Sequence, residues 1–356
     1  ALTGWLAFGL ALLFALHPVH VEPVVLAVGR FDLLSTFFAL LALTLAVTMD
    51  SVSKSWARTL LAAASGAAFF LALGSKEMAV TLPIVLLAID AYRQASWRKR
   101  WPVYLSFLVG GVAYLIWRGV ALGYLYQSRQ AAALSVGNSL SHLLLVARSF
   151  ARYLLLMVWP FGTLSPIQFS QLPVSWNDPV AWVELVIVTV LLAWLVFALV
   201  RRKRVAWLWL AALVCLLPVA NLLPLELRGG AIVAERFLYL PSFLVVAALG
   251  VTVQRLLKRA RTAATERDLW WLPVLGGAGT VALVVAYAVT VVVTVPRWAD
   301  DQVLWIWASD RAPGSSLPLA NLSRAALDQG DWVEALDLAD RARDIDPSDP
   351  TAHNNA

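Results

Sequence analysis

Residues 180–200, VAWVELVIVTVLLAWLVFALV, followed at once by RRKR (201–204), decide what kind of fold this chain adopts. A helix of that length rises about 30 Å, the thickness of the hydrocarbon core of a bilayer. Glu184 is the one charge this reading sets inside a span. The four basic residues that close the run mark a cytoplasmic boundary, because Lys and Arg collect on that side.

The rest of the chain repeats the pattern. Of its 356 residues 60% are apolar and only 14% charged, with a mean hydropathy of +0.74. Globular domains run nearer 45–50% apolar and about 25% charged, so a soluble fold is excluded and lipid must cover much of the surface. The expected fold is all-α, a polytopic transmembrane bundle with about nine or ten spans. They are placed near 1–16, 31–49, 57–74, 78–92, 102–122, 180–200, 205–223, 237–253 and 270–295. The net charge of +6 does not point to nucleic acid, since fifteen of the 28 basic residues lie in four short loops between spans. These are Lys54 and Arg58; Arg93, Arg98, Lys99 and Arg100; Arg201 to Arg204; and Arg255, Lys258, Arg259, Arg261 and Arg267. Assigning them to the cytoplasm puts the loops around 17–30, 75–77, 123–179 and 224–236, and everything after 296, on the other side. The single cysteine, Cys215, excludes an intrachain disulfide and a multi-cysteine metal site.

Residues 139–159 are apolar enough to span but carry His142, Arg148 and Arg152, and a span here would break the alternation of charged loops. They read as an amphipathic helix in the outer interface or a re-entrant one, with a tenth span as the alternative. After Trp298 the chain changes character, with 11 acidic residues against four arginines. Gly330, Ala335, Ala342 and Pro347 have tetratricopeptide (TPR) spacing, Leu322, Leu336 and Leu338 supply apolar contacts, and Ala320-Asn321 recurs as Asn354-Asn355 at a period of 34. Since one repeat cannot bury its own face, further repeats are expected. The division is 1–297 membrane domain, 298–314 linker and 315–356 start of a TPR array.

Ionisable groups at membrane depth are costly and invite a functional reading. The outer rim collects four sets. His17-Pro18-Val19-His20-Val21-Glu22-Pro23 with Gly29-Arg30-Phe31-Asp32 offers two histidines and carboxylates, either as metal ligands or as a hydrogen-bonded loop that orients Glu22. In Ser75-Lys76-Glu77, Lys76 can meet a phosphate with Glu77 setting its position, or the three form a solvated turn. Arg228-Gly229-Gly230 precedes Glu235-Arg236-Phe237-Leu238-Tyr239-Leu240-Pro241-Ser242, where an arginine fork fits phosphate oxygens or Arg and Tyr anchor a helix. Arg148 and Arg152 share a helix face and suit lipid headgroups or a lipid-linked phosphate. Together they suit an anionic headgroup on a lipid; no phosphate-binding Gly-rich loop with Lys-Ser/Thr is present.

His-Pro-Val-His-Val-Glu-Pro-Val with Gly-Arg-Phe-Asp-Leu-Leu (17–34), Ser-Lys-Glu (75–77) and Ala-Glu-Arg-Phe-Leu-Tyr-Leu-Pro-Ser (234–242), then a last span and repeat-like helices, occur in that order. In this the chain resembles the TPR-containing transmembrane O-mannosyltransferase (TMTC-like) family and its bacterial relatives, within the GT-C glycosyltransferases. The resemblance covers nearly the whole chain. It implies transfer of a sugar, mannose by analogy, from a polyprenyl-phosphate carrier to a protein hydroxyl on the periplasmic or lumenal face, by a multi-pass inner (cytoplasmic) membrane protein. The TPR array would bind the acceptor protein or another partner, and a divalent metal (Mg or Mn) could assist. Glu22 and Asp32 are the candidate catalytic carboxylates, and a further acidic loop is expected ahead of Ala1. His17, His20, Arg30, Lys76, Glu77, Arg148, Arg152, Arg228, Glu235, Arg236 and Tyr239 are the candidates for substrate and lipid-phosphate binding. The competing readings are a non-enzymatic membrane-anchored TPR scaffold, and a transporter or an O-antigen-ligase-like glycan transferase.

Overall fold

The computed structural model describes residues 4–123, 139–171, 174–222, 231–263, 271–347 and 350–356. Helix α1 (Gly4–Ala15) ends ahead of Pro18, and after a 49° bend the chain continues through a 3-10 turn at Pro18–His20 into α2 (Val21–Val25). Pro18 and Pro23 lack the N–H that a straight helix would use there. Next come α3 (Arg30–Thr48), α4 (Ser55–Ser75), α5 (Leu82–Arg93) and α6 (Trp97–Leu122). Chain direction then puts Arg30, Ser75 and Leu122 at one end of the bundle, the rim, and Asp50, Arg93 and Trp97 at the other.

Small residues let these helices approach closely, as is common where lipid gives no hydrophobic drive for helix pairing. Ser35 Oγ donates to Ala72 O (3.1 Å) and Ser65 Oγ to Ala42 O (2.7 Å), which ties α3 to α4. A Cβ at Gly66 would lie 2.5 Å from the Ser106 carbonyl, and one at Gly110 would lie 2.6 Å from that of Gly66, so α4 and α6 cross where only glycine fits.

Helices α7 (Ser139–Val158), α8 (Pro179–Val200), α9 (Ala206–Leu216), α10 (Tyr239–Ala263) and α11 (Trp271–Thr294) complete the membrane part. Among the described residues seven helical segments are long and apolar enough to cross a bilayer, or eight counting the bent pair at the N-terminal side. The chain is thus a multi-pass, all-α membrane protein. Two of the nine expected spans come out shorter. Residues 78–92 form the 12-residue α5 behind a 3-10 turn at Glu77–Thr81, and 205–223 form an apolar helix over Ala206–Val219. These two pack on each other in the interior, where Leu82, Val85, Leu86 and Ala211 are wholly buried. By contrast, the valines of α8 at 180, 183, 186, 190 and 196 stand exposed, as a lipid-facing surface requires.

Glu184 is not the one charge in a helix of the bundle. Asp90 and Arg100 are buried at the end opposite the rim, and Arg118 sits near the end of α6. Helix α7 has the length and apolarity of a span and packs on α8, and it also bonds groups near the rim. His142 bonds Asn221 O (2.8 Å), Asn221 donates to Ser149 (2.7 Å), Tyr153 donates to Val219 O (3.2 Å), and His17 bonds Met157 O (3.0 Å).

A two-stranded antiparallel sheet, β1 (Gln168–Phe169) with β2 (Ala231–Val233), joins the loop after α7 to the one before α10. The expected linker is itself helical. Helix α12 (Asp301–Arg311) docks on this sheet through Ile167, Ala308 and Ala312. Helices α13 (Ser316–Gln329), α14 (Trp332–Ile345) and α15 (Pro350–Asn355) form the tail, with a left-handed Gly330 (φ +81°) and Asp331 capping α14. Ala320, Ala335, Ala342 and Ala352 are wholly buried between them. Leu338 joins this core with Leu322, but Leu336 does not: it faces outward, 48% exposed.

Candidate functional site

Because the Pro18–Pro23 turn folds back under the N-terminal end of α10, the carboxylate of Glu22 meets Arg236, 214 residues away. Glu22 is buried, accepts the Arg236 backbone N–H (2.8 Å) and pairs with its guanidinium. Beside it, Asp32 in the first turn of α3 accepts the Lys76 ammonium at 2.5 Å. The other oxygen of Asp32 is buried with no partner among the described residues. Both cations lean on one ring: Lys76 Nζ lies 4.5 Å and the Arg236 guanidinium carbon 5.1 Å from the centroid of Phe237. Burial pushes the Lys76 ammonium below its usual range, with Asp32 opposing. A narrow cleft with about 20 Å³ of free space is lined by Asp32, Ser35, Thr36, Lys76, Arg236 and Phe237, with buried Cys215 on one wall.

The remaining candidates separate from this pair of pairs. Glu77 does not position Lys76; it binds Arg118 at 2.5 Å, because the 3-10 turn after Lys76 aims it toward α6. Glu235 does not face the cleft either. It is buried, accepts the Ser165 N–H (2.7 Å) and the Gln168 amide (2.9 Å), and so holds the loop after α7 in place. His20 bonds Ser242 Oγ (2.9 Å), with its ring 4.5 Å from that of Tyr239 and 4.7 Å from Phe14. His17 bonds Met157 O and lies 4.7 Å from Tyr287. The two histidines therefore pack in an aromatic cluster with Phe14, Tyr239 and Tyr287. Among the described residues no group of three His, Cys, Asp or Glu side chains comes together to hold a metal. Arg30 is exposed at the start of α3, and Arg228 lies outside the described residues.

Arg148 and Arg152 line a separate, wider cleft with Ser170, Asn177, Asp178 and Glu184. Arg148 binds Asp178 (2.6 Å), Glu184 (2.8 Å) and Ser170 (3.2 Å). Its hydrogen bond holds the Asp178 carboxyl below the usual range. The sequence offered no partner for Arg148, since Glu184 stands 36 residues on. It also gave Phe237 no role, although that residue sits inside the most distinctive motif.

Comparison with known protein families, with curated proteins and with solved structures finds no match to this chain. Fold and site together describe a multi-pass helical membrane protein with two neighbouring ion pairs, each with a buried carboxylate, at one end of its bundle.

Proposed function

We propose that the protein is a glycosyltransferase that takes a sugar from a polyprenyl-phosphate carrier and passes it to a protein hydroxyl on the non-cytoplasmic face. The observation that carries this reading is the cleft in which Asp32, with one unclaimed oxygen, stands between Lys76 and Arg236 at the end of the bundle. Both oxygens of Glu22 are engaged by Arg236, whereas Asp32 keeps one oxygen without a partner among the described residues, so Asp32 is the carboxylate taken for proton transfer. In the reaction the acceptor O–H gives its proton to Asp32 and its oxygen bonds to the sugar's anomeric carbon. The bond from that carbon to the phosphate oxygen breaks, and the electron pair leaves with the lipid phosphate. Arg236 presents five N–H donors, of which Glu22 uses one; the others, with Lys76, stabilise the departing charge. Glu22 is then a positioning residue that fixes the Arg236 fork. On this reading the rim faces the periplasm, and the helical pairs after Ser316 begin a TPR array that holds the acceptor.

The test is transfer of labelled mannose from polyprenyl-phosphate-mannose to protein in membranes that hold the full-length protein. Asp32→Asn should abolish transfer while leaving carrier bound, and Arg236→Ala should lose both. Transfer that survives Asp32→Asn would sink the assignment of the base. Absence of carrier binding by the parent protein would sink the glycosyltransferase reading itself.

A further inference from the structure

A third cleft, of about 280 Å³, opens at the rim end of α11, between Val289–Arg297, the turn at Phe161–Leu164 and helix α12. Its charged lining among the described residues is Arg297 and Arg311, with no carboxylate. The cleft beside Arg148 differs, since Asp178 and Glu184 there balance two arginines. Arg297 has no hydrogen bond or ion pair among the described residues. Its guanidinium carbon lies 5.1 Å from the Trp307 ring centroid, a contact that orients a cation without neutralising it. Arg311 donates one N–H to Gly162 O (2.5 Å), which leaves most of its fork uncommitted.

A second observation points the same way. The Trp307 side chain lines this cleft, and its buried indole N–H has no acceptor among the described residues; nor has that of Trp298, whose ring is 6.1 Å away. Buried donors are rarely left unmet in folded proteins. From the same mouth Val285, Val289, Val292 and Val293 run down one face of α11, each more than half exposed. An oxyanion above and an apolar strip below describe a phosphate ester with hydrocarbon attached.

We propose that this cleft binds the phosphate of an anionic membrane lipid. Arg297 and Arg311 hold the phosphate oxygens, the Trp307 N–H is a further donor, and the acyl chains lie along the valine face. The lipid would sit where the chain leaves the bilayer for α12, and so would fix the tail against the rim. Nothing in this depends on the transfer reaction.

The test uses the full-length protein, delipidated in detergent and titrated with phosphatidylglycerol or with phosphatidylcholine of the same chains, with bound lipid counted by native mass spectrometry. One phosphatidylglycerol should be retained, at least tenfold more weakly in Arg297→Gln, a change that breaks no hydrogen bond seen within the protein. Arg311→Gln should also weaken it, but that variant loses the Gly162 contact as well, so Arg297→Gln decides. Equal retention of the two lipids, or retention unchanged in Arg297→Gln, overturns the proposal. Glycerol phosphate added at the same concentration as the lipid separates the two sources of phosphate. Lipid that stays bound supports a membrane ligand, and full displacement overturns it in favour of a soluble phosphate ester.

Discussion

At the end of the bundle away from the rim, Arg100 is held by Asp90 (2.8 Å), Asp50 (3.2 Å) and the Ala46 carbonyl (2.5 Å), with 1% of its side chain exposed. Arg93 joins through Asp50 and Tyr104 through Asp90, each at 2.8 Å. At the rim, Lys76 and Arg236 hold Asp32 and Glu22, yet keep 20% and 23% of their side chains exposed. Each end leaves one carboxylate oxygen without a partner, Asp90 Oδ1 and Asp32 Oδ2. The difference lies in the central cation, which is sealed in Arg100 and partly open in Lys76 and Arg236. The buried Arg100–Asp90 pair, with Asp50 and Arg93 at its more open edge (28% and 30% exposed), locks α3, α5 and α6 together, whereas on the proposed reading the rim cations exchange partners with an incoming anion. Burial of charge alone does not mark a functional site; on the proposed reading, a buried carboxylate with a reachable cation does.

Four experiments would break or sharpen that contrast. The largest effect is expected for Asp32→Asn, which should lower sugar transfer by a factor of about 10²–10⁴, the usual share of a positioned acid or base. Its thermal unfolding should move little, because Lys76 reaches solvent. If stability falls as much as transfer, the rim is structural too. Arg100→Met should act the other way. It leaves Asp90 buried and unpaired, a loss of about 3–5 kcal/mol for a broken buried pair, seen as a lowered melting temperature in detergent with activity per folded molecule intact. Third, Arg236→Lys keeps the charge but loses the fork, and should weaken carrier binding about tenfold, about 1.4 kcal/mol. Equal binding would mean that the site reads charge alone.

The smallest effect concerns Asp178, held below its usual pKa by Arg148. A depressed carboxylate adds stability that is present above its unfolded pKa, about 3.9, and is lost as pH falls through the lower folded value. Asp178→Asn should therefore lower the melting temperature slightly at pH 7, by well under 1 kcal/mol for so exposed a pair. The gap from the parent should close toward pH 3; a gap that stays constant with pH would show that the pair's charge contributes nothing.

Much of this was legible in the chain itself. The apolar run 180–200 ended by RRKR, the break at Pro18 and Pro23, and the acidic tail with its alanine spacing each state a local physical preference that the structure keeps. The helices α5 and α9 are shorter and more deeply packed than the apolar runs 78–92 and 205–223 foretold, because hydropathy cannot tell an apolar face turned to lipid from one turned to a neighbouring helix. Arg100 was read as a loop cation for a related reason: its acceptors Asp90, Asp50 and Ala46 come from two other helices. Lys76 was matched with its neighbour Glu77, when the 3-10 turn at Glu77–Thr81 sends that carboxylate to Arg118 and leaves Lys76 to Asp32.

The sequence by itself determined that this is a membrane-embedded helical protein with charge gathered at helix ends, since transfer of apolar surface out of water and the cost of burying a charge act residue by residue. Only the tertiary structure decided which carboxylate meets which cation. Glu22 with Arg236, Asp32 with Lys76 and Arg148 with Glu184 are separated by 214, 44 and 36 residues. Contacts at such separations are set by how helices cross, through the close approach at Gly66 and Gly110, and by where a turn of backbone aims a side chain.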